Sequence, residues 1–287
     1  MTLILPNTSS VVVSGLRQLL GQAKVWNDVP TLTAYAVDAS IYRMTPHAVV
    51  LAEHEGDIDT VVRFAVERGI PLTPRAAGTN LTGSAIGSGI ILDISKMNRI
   101  LEVNEEERWA RVQPGIVLAE LNKQLGRRNL LFGPDPSSGD MCKLGGMLAN
   151  NSAGPHTLIY GAVKDNVQAM RVCLPSGSWL SASSMNLNDP GLDQTLAAHP
   201  SLKPILDLVQ RQRSLIDSKK PTVSKNSCGY NLFGLVDGLS RGVFDLPKLF
   251  VGSEGTLGVV SEATLCLVPK PQGTLTALIH FRRLEEV

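Results

Sequence analysis

The sequence predicts an α+β fold, and three observations support this prediction. Apolar runs around one amphipathic segment give a β-α-β-loop-β pattern over residues 46–100. From about residue 101, further strand patterns follow, with a hairpin whose turn is PSGS at 175–178. The 26 glycines cluster at 78–89, 139–161 and 252–258. Clustered glycines between strands often mark places where the backbone approaches a ligand closely.

The first region is expected to begin with a buried strand at Ala48–Ala52. A helix follows, for which Asp57 is the predicted cap and Gly69 the predicted stop. Short strands are predicted at Ile70–Thr73 and Ile90–Ile94. Residues 1–45 are expected to form an N-terminal arm that contains a short helix within Val11–Leu20 and a loop at Ala34–Tyr42.

The second region alternates strand and helix patterns. The predicted strands are Trp109–Gln113, a hairpin over Val167–Leu180, Lys248–Val251 and Val259–Val268, and the predicted helices are Val117–Leu125 and Leu202–Ile216.

Composition excludes several classes of function. The 287 residues carry a net charge of +1, which does not favour a nucleic acid as partner. No apolar run approaches the roughly 18 residues of a transmembrane helix, and the start MTLILPNTSS does not resemble a signal peptide. The four cysteines form no CxxC pair, so no metal or iron–sulfur site is expected. Isolated cysteines suit a reducing environment, and a cytoplasmic location is therefore expected.

The first glycine-rich segment, Pro74–Gly83, reads PRAAGTNLTG and follows a predicted strand. Its backbone N–H groups, with the hydroxyls of Thr79 and Ser84, can form an anion nest for a pyrophosphate. A plain tight turn is the alternative. The segment matches neither GxGxxG nor GxxxxGK[ST], so ordinary Rossmann and P-loop sites are not indicated.

The other two segments also permit ligand binding. Leu131–Gly161 is long and rich in Gly, Ser, Asn and Pro, which suits a flat heteroaromatic ring, whereas an Ω-like surface loop is the alternative. Val251–Val260 combines three glycines with Glu254, which can accept hydrogen bonds from a ribose. The alternative there is a strand entry with a solvated glutamate.

Taken in order, eight strings between Pro46 and Pro271 resemble one flavoprotein domain: PLTPRAAGTNLTG, GIILDISKMNRI, VQPGIVLAELN, FGPDPSS, LGGMLANNSAG, YG, SKNSCGYNL and VGSEGTLGVVSEATL. This is the PCMH-type FAD-binding domain of the vanillyl-alcohol oxidase and p-cresol methylhydroxylase superfamily. The resemblance is strongest to the flavin subunits of D-lactate dehydrogenase and glycolate oxidase. SKNSCGYNL (224–232) resembles a variant found in flavin/iron–sulfur fusion dehydrogenases, and it is expected to approach the flavin.

The resemblance implies a domain over residues 46–272 with two subdomains, about 46–100 and 101–272. It also implies that the C-terminal cap domain is absent, with 273–287 as its start. The chain is therefore expected to be a fragment or one subunit of a split enzyme.

The resemblance also implies a set of residues that bind FAD. Those expected to wrap the pyrophosphate are Arg75, Ala76, Ala77, Gly78, Thr79, Asn80, Gly83 and Ser84. Those expected along the flavin and its phosphate link are Pro134, Asp135, Pro136 and Ser138. The isoalloxazine and ribityl region is assigned to Gly145, Gly146, Asn150, Ser152, Gly154 and Gly161, and the adenosine side to Glu254, Gly258 and Val259.

Some positions depart from the family pattern. Ile159 stands where relatives often carry Arg or Lys before YG. GTNLTG holds no histidine, so FAD is expected to bind non-covalently, and Cys142 is interpreted as incidental rather than as a thioether link. No catalytic base is identified. Of the five histidines, His156 alone lies in a flavin-side segment, where it either contacts ligand or serves packing.

The function implied is an FAD-dependent oxidoreductase that oxidises a D-2-hydroxy acid, such as D-lactate or glycolate, by hydride transfer to flavin N5. The alternative is an FAD-binding subunit or fragment that is inactive without a cap-domain or iron–sulfur partner. UDP-N-acetylenolpyruvoylglucosamine reductase shares the fold, but that enzyme needs its own C-terminal domain and an NADPH-compatible pocket, and nothing in the sequence points to either.

Overall fold

The computed structural model describes residues 8–223 and 225–286. The start of the expected arm, the first residue of SKNSCGYNL and the C-terminal Val287 therefore lie outside the described residues. The helices are α1 Thr8–Leu20, α2 Val29–Tyr35, α3 Glu55–Arg68, α4 Leu118–Gly126, α5 Leu144–Asn150, α6 Thr157–Tyr160, α7 Pro190–Ala198, α8 Leu202–Arg211, α9 Arg213–Ser218, α10 Leu232–Ser240 and α11 Leu246–Phe250. The strands are β1 Val25–Trp26, β2 Ala48–Leu51, β3 Leu72–Arg75, β4 Ile90–Asp93, β5 Ile100–Asn104, β6 Trp109–Val112, β7 Leu130–Leu131, β8 Val167–Cys173, β9 Trp179–Asn186, β10 Val243–Asp245, β11 Val259–Cys266 and β12 Val268–Pro269.

The first sheet has the strand order β1-β2-β4-β3. Strands β2 and β3 run parallel to β4, and β1 is antiparallel to β2. The central strand β4 is apolar in three successive residues, all fully buried, as expected for a strand that is covered on both faces. The carboxyl ends of β3 and β4 consequently lie side by side, which places the loop after β3 next to Ile94.

The N-terminal residues pack against the first sheet and α3 more extensively than the sequence predicts. Helix α1 confirms the short predicted helix, and it buries Val12 and Leu16 against α3 and β2. Val25 in β1 is fully buried as well. Apolar residues of this part of the expected arm therefore share one hydrophobic core with β2, α3 and β4.

Helix α3 begins differently from the prediction. Its N-cap is His54, whose ring nitrogen accepts from the Asp57 N–H, so Asp57 is not the cap. Asp57 instead lies buried in the first turn and accepts from Lys24 Nζ at 2.8 Å and from the Glu53 N–H at 2.9 Å. The predicted stop is confirmed, since Gly69 takes the left-handed conformation with φ of 61°.

The second sheet is antiparallel, with the order β10-β9-β8-β11-β6-β5. The predicted hairpin is confirmed as β8 and β9. Strand β11 alternates buried and partly buried residues along its whole length, and it pairs with β8 on one side and β6 on the other. A strand from the end of the domain thus joins strands that lie far apart in sequence.

Two predicted elements of this region need correction. The helix predicted over Leu202–Ile216 is divided into α8 and α9, with Gln212 between them. The strand predicted at Lys248–Val251 is the end of helix α11 and the residue that follows it. Pro247 explains the second error, because proline in the first turn of a helix loses no hydrogen bond and favours helical φ.

The two subdomains meet at Gly115 and along α3. A Cβ at Gly115 would lie 2.5 Å from the Ile94 carbonyl oxygen and 2.7 Å from that of Met97, so the backbones touch directly. Glu55 on α3 accepts from Arg171 Nε and from Ser261 Oγ, each at 2.7 Å. Residues 273–285 are exposed, and within the described ranges no helix is both long and apolar enough to span a bilayer.

We expect Gly115→Ala to lower the free energy of unfolding by about 1–3 kcal/mol, the usual cost of forcing an extra carbon into packed backbone. Gly126→Ala is the matched control, because a Cβ there would meet only the Lys270 side chain, at 3.4 Å or more. Urea denaturation of both variants tests this. Equal stabilities would contradict direct backbone contact at Gly115.

Candidate cofactor site

One crevice brings the three glycine-rich segments together. It encloses about 760 Å³ outside protein atoms, a volume that includes solvent at its open mouth. The sequence-predicted residues that line it are Ala76, Ala77, Gly78, Thr79, Asn80, Ser84, Gly145, Gly146, Asn150, Glu254 and Gly258. Residues 76–80, 145–150 and 254–258 therefore share one site.

Backbone contacts hold the second and third segments together. The N–H of Gly252 donates to the Leu148 carbonyl at 2.9 Å, and the N–H of Glu254 donates to that of Ala149 at 3.1 Å. These bonds join the end of α5 to the turn before β11. Glu254 itself has a left-handed φ of 50°, an unusual conformation for a residue with a side chain. The turn is fixed, and its exposed carboxylate lies at the crevice.

The first loop is organised by the side chain of Asn80. Its Oδ1 accepts from the N–H groups of Thr82 at 3.1 Å and Ser84 at 3.0 Å, and its Nδ2 donates to Asp38 Oδ2 at 2.9 Å. The amide is therefore used within the loop. Asn80 lines the crevice, but its side chain contributes to loop shape rather than offering a donor for a phosphate.

Arg75 supports the same loop from behind and is not among the residues that line the crevice. Its Nη1 donates to the carbonyls of Val37 at 2.9 Å, and of Tyr35 and Ala85 at 3.3 Å each. Burial lowers the pKa of Arg75, and the guanidinium lies over the Tyr35 ring. The guanidinium is turned towards these carbonyls, and the predicted contact of Arg75 with the pyrophosphate stays a prediction.

Gly78 is required by this arrangement. Its φ is +69°, and a Cβ there would lie 2.6 Å from Arg75 Nη2. A larger residue at this position would therefore displace the arginine as well as narrow the crevice.

Asp38 fixes the loop from the N-terminal side. Besides Asn80, it accepts from the N–H of Ser40 at 2.9 Å and of Ala85 at 3.4 Å, and the Ala39 N–H donates to the Gly78 carbonyl at 3.0 Å. Burial alone raises the pKa of Asp38, but the hydrogen bonds from these donors outweigh it and lower the pKa. Sequence reasoning missed this contact, since Asp38 lies 42 residues before Asn80 and carries no local motif.

The glycine pair of the second segment performs two different tasks. A Cβ at Gly145 would lie 3.0 Å from both Ile94 Cδ1 and Pro114 Cβ, so Gly145 permits close packing of α5. A Cβ at Gly146 would meet none of the described residues within 4 Å. Because Gly146 lines the crevice, the open space before it is available to a ligand. The small residues around it suit a flat group that packs against backbone.

Ten predicted residues do not line the crevice: Arg75, Gly83, Pro134, Asp135, Pro136, Ser138, Ser152, Gly154, Gly161 and Val259. Several lie together beside it. Asp135 bonds to His156 Nδ1 and accepts from the His156 N–H at 3.2 Å, and a Cβ at Gly154 would lie 2.0 Å from the Asp135 carbonyl oxygen. Their assignment to the flavin stays a prediction.

Nine further residues line the crevice and were not predicted: Pro74, Ala85, Ile94, Leu148, Ala149, Phe250, Ser253, Gly255 and Val260. Most are apolar or small and directly flank the predicted motifs. The motifs do not include these residues. Two of them, Pro74 and Ile94, lie at the carboxyl ends of parallel strands, where ligands commonly bind, so the strand pattern could have indicated them.

The chemistry of the site fits a dinucleotide such as FAD. Backbone at residues 76–79 offers N–H groups beside small side chains, which suits a pyrophosphate. Within the residues that the structure covers, no group of three or more His, Cys, Asp or Glu side chains is placed to hold a metal ion. Cys142 is buried in the core of the second subdomain, where burial raises the pKa of its thiol.

We expect Gly146→Val to lose at least about tenfold in FAD affinity while the protein stays folded, because the new side chain meets ligand space rather than protein. Flavin fluorescence titration and thermal melting of the apoprotein measure the two effects. Gly126→Val, in another helix, is the control. Unchanged FAD affinity in Gly146→Val would place the flavin elsewhere.

We expect Asp38→Asn to weaken FAD binding about tenfold. The carboxylate oxygen Oδ2 accepts from Asn80 Nδ2 and from the Ala85 N–H, and an amide NH₂ in its place would leave both donors without an acceptor. The support from Asp38 is fully present above its ordinary pKa of 3.8 and is lost as pH falls through the lowered value. Asp59→Asn, which removes a surface ion pair with Arg63, is the control. If FAD affinity were the same in both variants, Asp38 would not organise the loop.

Comparison with known proteins agrees with this site. A family described as "FAD binding domain" matches residues 46–183. The chain is 34% identical to D-2-hydroxyglutarate dehydrogenase of Pseudomonas putida over 94% of its own length and 27% of that protein. It is 30% identical to glycolate oxidase subunit GlcD of Bacillus subtilis (88% of this chain, 43% of that one), and 29% identical to D-lactate dehydrogenase of Anaerostipes hadrus (87% and 42%).

The chain thus spans about a quarter to less than half of the length of these relatives. Among solved structures, an alkyldihydroxyacetonephosphate synthase shares the fold, with a TM-score of 0.66 at 21% identity over 95% of this chain and 43% of that chain. The matched domain and the relatives support FAD as the cofactor, and the solved structure shows the shared fold. Residues 46–183 are therefore similar to an FAD-binding domain, and the chain carries the PCMH-type FAD-binding fold.

Proposed function

We propose that this chain is the flavin-binding part of an FAD-dependent dehydrogenase that oxidises a D-2-hydroxy acid, such as D-lactate or glycolate. The observation that carries the proposal is the crevice itself, where three glycine-rich segments meet and Gly146 faces open space. Relatives named for D-2-hydroxyglutarate, glycolate and D-lactate support the substrate class, since all three acids carry a hydroxyl beside a carboxylate.

Different residues of the crevice bind different parts of FAD. The N–H groups of Ala76–Thr79 bind the pyrophosphate, and Arg75 with Asp38 keeps that loop in place. Gly145 and Gly146 allow the ring system to approach α5, and Glu254 accepts from ribose hydroxyls. Bound FAD supplies the hydride acceptor. The cofactor is held without a covalent bond, because no histidine stands in the first loop and Cys142 is buried.

Proton transfer from the substrate hydroxyl needs a base, and His156 is the candidate in this chain. When Asp135 accepts from Nδ1–H, the Nε2 atom of His156 is left to take up a proton. The imidazole is more than half exposed, so a substrate can reach it. His156 does not line the crevice, and a base from another domain is the alternative.

A second candidate function is a cofactor-binding module that oxidises substrate only together with a partner. The observation in its favour is length, since the curated relatives are two to four times as long as this chain. In this reading a cap domain or an iron–sulfur subunit completes the substrate pocket. Free thiols at Cys142, Cys173, Cys228 and Cys266 suit a reducing, cytoplasmic setting.

We expect the purified chain to be yellow and to release its flavin on acid treatment. D-lactate, glycolate and D-2-hydroxyglutarate are then added under anaerobic conditions, and the flavin absorbance is followed. Bleaching by one of these acids supports the dehydrogenase, with slower bleaching but equal flavin content in His156→Gln if this base acts. A bound but unresponsive flavin supports the module, and a colourless chain that cannot be reconstituted with FAD contradicts both.

A further inference from the structure

A second pocket, separate from the cofactor crevice, is rich in cationic side chains. We call it the lysine pocket and define it by Lys164, Lys220, Asn226, Arg241 and Lys248. Much of its wall comes from the SKNSCGYNL segment, none of whose described residues lines the crevice. The segment therefore builds a cavity of its own, and its expected approach to the flavin stays a prediction.

Hydrogen bonds close the wall between the two cavities at the end of α5. Asn150 lines the crevice, and Asn151, the next residue, lines the lysine pocket. Ser227 Oγ donates to the Asn151 carbonyl at 3.2 Å, and the Lys164 N–H donates to Asn151 Oδ1 at 2.9 Å. Of the residues that the structure describes, none lines both cavities. A molecule in the lysine pocket therefore occupies different space from a cofactor in the crevice.

The lysine pocket carries more positive than negative charge. The charged side chains that line it are four cations and two carboxylates, namely Lys164, Lys220, Arg241, Lys248, Asp165 and Asp237. Lys220 and Asp237 form an ion pair at 3.0 Å. Three cations and the carboxylate of Asp165 remain, so two positive charges of the pocket are not balanced by its own residues.

Two of the remaining cations are held by backbone carbonyls rather than by carboxylates. Lys164 Nζ donates to the Asn226 carbonyl at 3.2 Å, and Lys248 Nζ donates to the Lys164 carbonyl. Asp165 lies 3.9 Å from Lys248 Nζ, beyond hydrogen-bond distance, and its Oδ2 accepts from the Ala162 N–H at 3.0 Å. A carbonyl takes one of the three donors of an ammonium group and leaves its charge in place. Both lysines therefore keep donors for an anion, although the side chain of Lys248 is only 21% exposed.

The third cation is free of partners within the described part of the chain. The side chain of Arg241, which follows α10, makes no hydrogen bond or ion pair with those residues. The neutral groups are different, because Asn226 Oδ1 accepts from the Cys228 N–H at 2.9 Å and Ser227 is used in the wall. The cationic side chains are consequently the groups that the pocket offers to a ligand.

We propose that the lysine pocket binds a phosphate group, either as free phosphate or as part of a small phosphate ester, at a site separate from that of FAD. A phosphate ester carries a charge of about −1.5 to −2 near pH 7, which matches the two unbalanced positive charges. Its oxygens accept from several directions, and the donors of Lys164, Arg241 and Lys248 come from three different elements. Lysine is a common phosphate ligand, and arginine adds two parallel donors. The site does not depend on which substrate the flavin oxidises.

Calorimetric titration of the purified, FAD-loaded chain at constant ionic strength tests the proposal. The probes are inorganic phosphate, glycerol 3-phosphate and, as a monovalent anion, nitrate. We expect the better of the two phosphate probes to bind at least about tenfold more tightly than nitrate. The tighter of the two identifies the source, since an ester site favours glycerol 3-phosphate and a free-phosphate site favours the inorganic ion. The flavin absorbance, followed in the same samples, should show no release of FAD.

Variants locate the binding site. Lys248→Met and Arg241→Gln should each weaken binding of the better phosphate probe at least about tenfold, as for loss of one charged hydrogen bond. Lys219→Met is the matched control, because Lys219 is an exposed lysine that adjoins the pocket in sequence but does not line it. The Arg241 side chain has no described contact to lose, so its variant remains informative even if Lys248→Met is unstable.

Four results would overturn the site. The first two are the absence of saturable phosphate binding and an affinity for nitrate equal to that for both phosphate probes. The third is wild-type affinity in both variants. The fourth is release of FAD by phosphate with no effect of the variants, because the anion would then bind at the first glycine-rich loop of the crevice.

Discussion

The carbonyl groups of Leu148 and Ala149, at the end of α5, accept hydrogen bonds from the turn that leads into β11. This pairing is the constraint on which the cofactor crevice depends, because it brings together backbone that is about a hundred residues apart in sequence. The first loop then reaches the same place through β3, whose carboxyl end lies beside Gly255. A crevice made of backbone can be narrow and can present several N–H groups to one diphosphate. Side chains at these positions would fill the space that a ring system needs.

Three polar side chains hold the glycine-rich first loop in its conformation. Asp38 and Arg75 contact it from outside, and Asn80 joins its own ends. All three use polar side chains on backbone groups of the protein, so the N–H groups that line the crevice are left for a ligand. These hydrogen bonds within the protein fix the shape of the loop.

Much of the fold and the site could be predicted from the sequence. Strands β2 and β11 are apolar or alternating over their full length, and residues of all three glycine clusters line one crevice. The errors have physical causes. Asp57 looks like a cap because Asp favours that position, but its buried pairing with Lys24 comes from a residue 33 positions away. The hydrogen bonds from Arg75 to the carbonyls of Tyr35 and Val37 could not be predicted either, because those carbonyls lie in the segment that was the hardest to interpret.

The position of β11 has a consequence for how the molecule can be divided. This strand lies between β6 and β8, although it follows both of them in the chain by many residues. The stretch 46–183 that matches the FAD-binding domain omits it, and it also omits Asp38 and Val37, whose carbonyl accepts from Arg75. A protein trimmed to that stretch would expose two unpaired sheet edges in place of one continuous surface. The hydrophobic cores draw on residues from Val12 in α1 to Leu267 after β11, beyond the stretch that matches the FAD-binding domain.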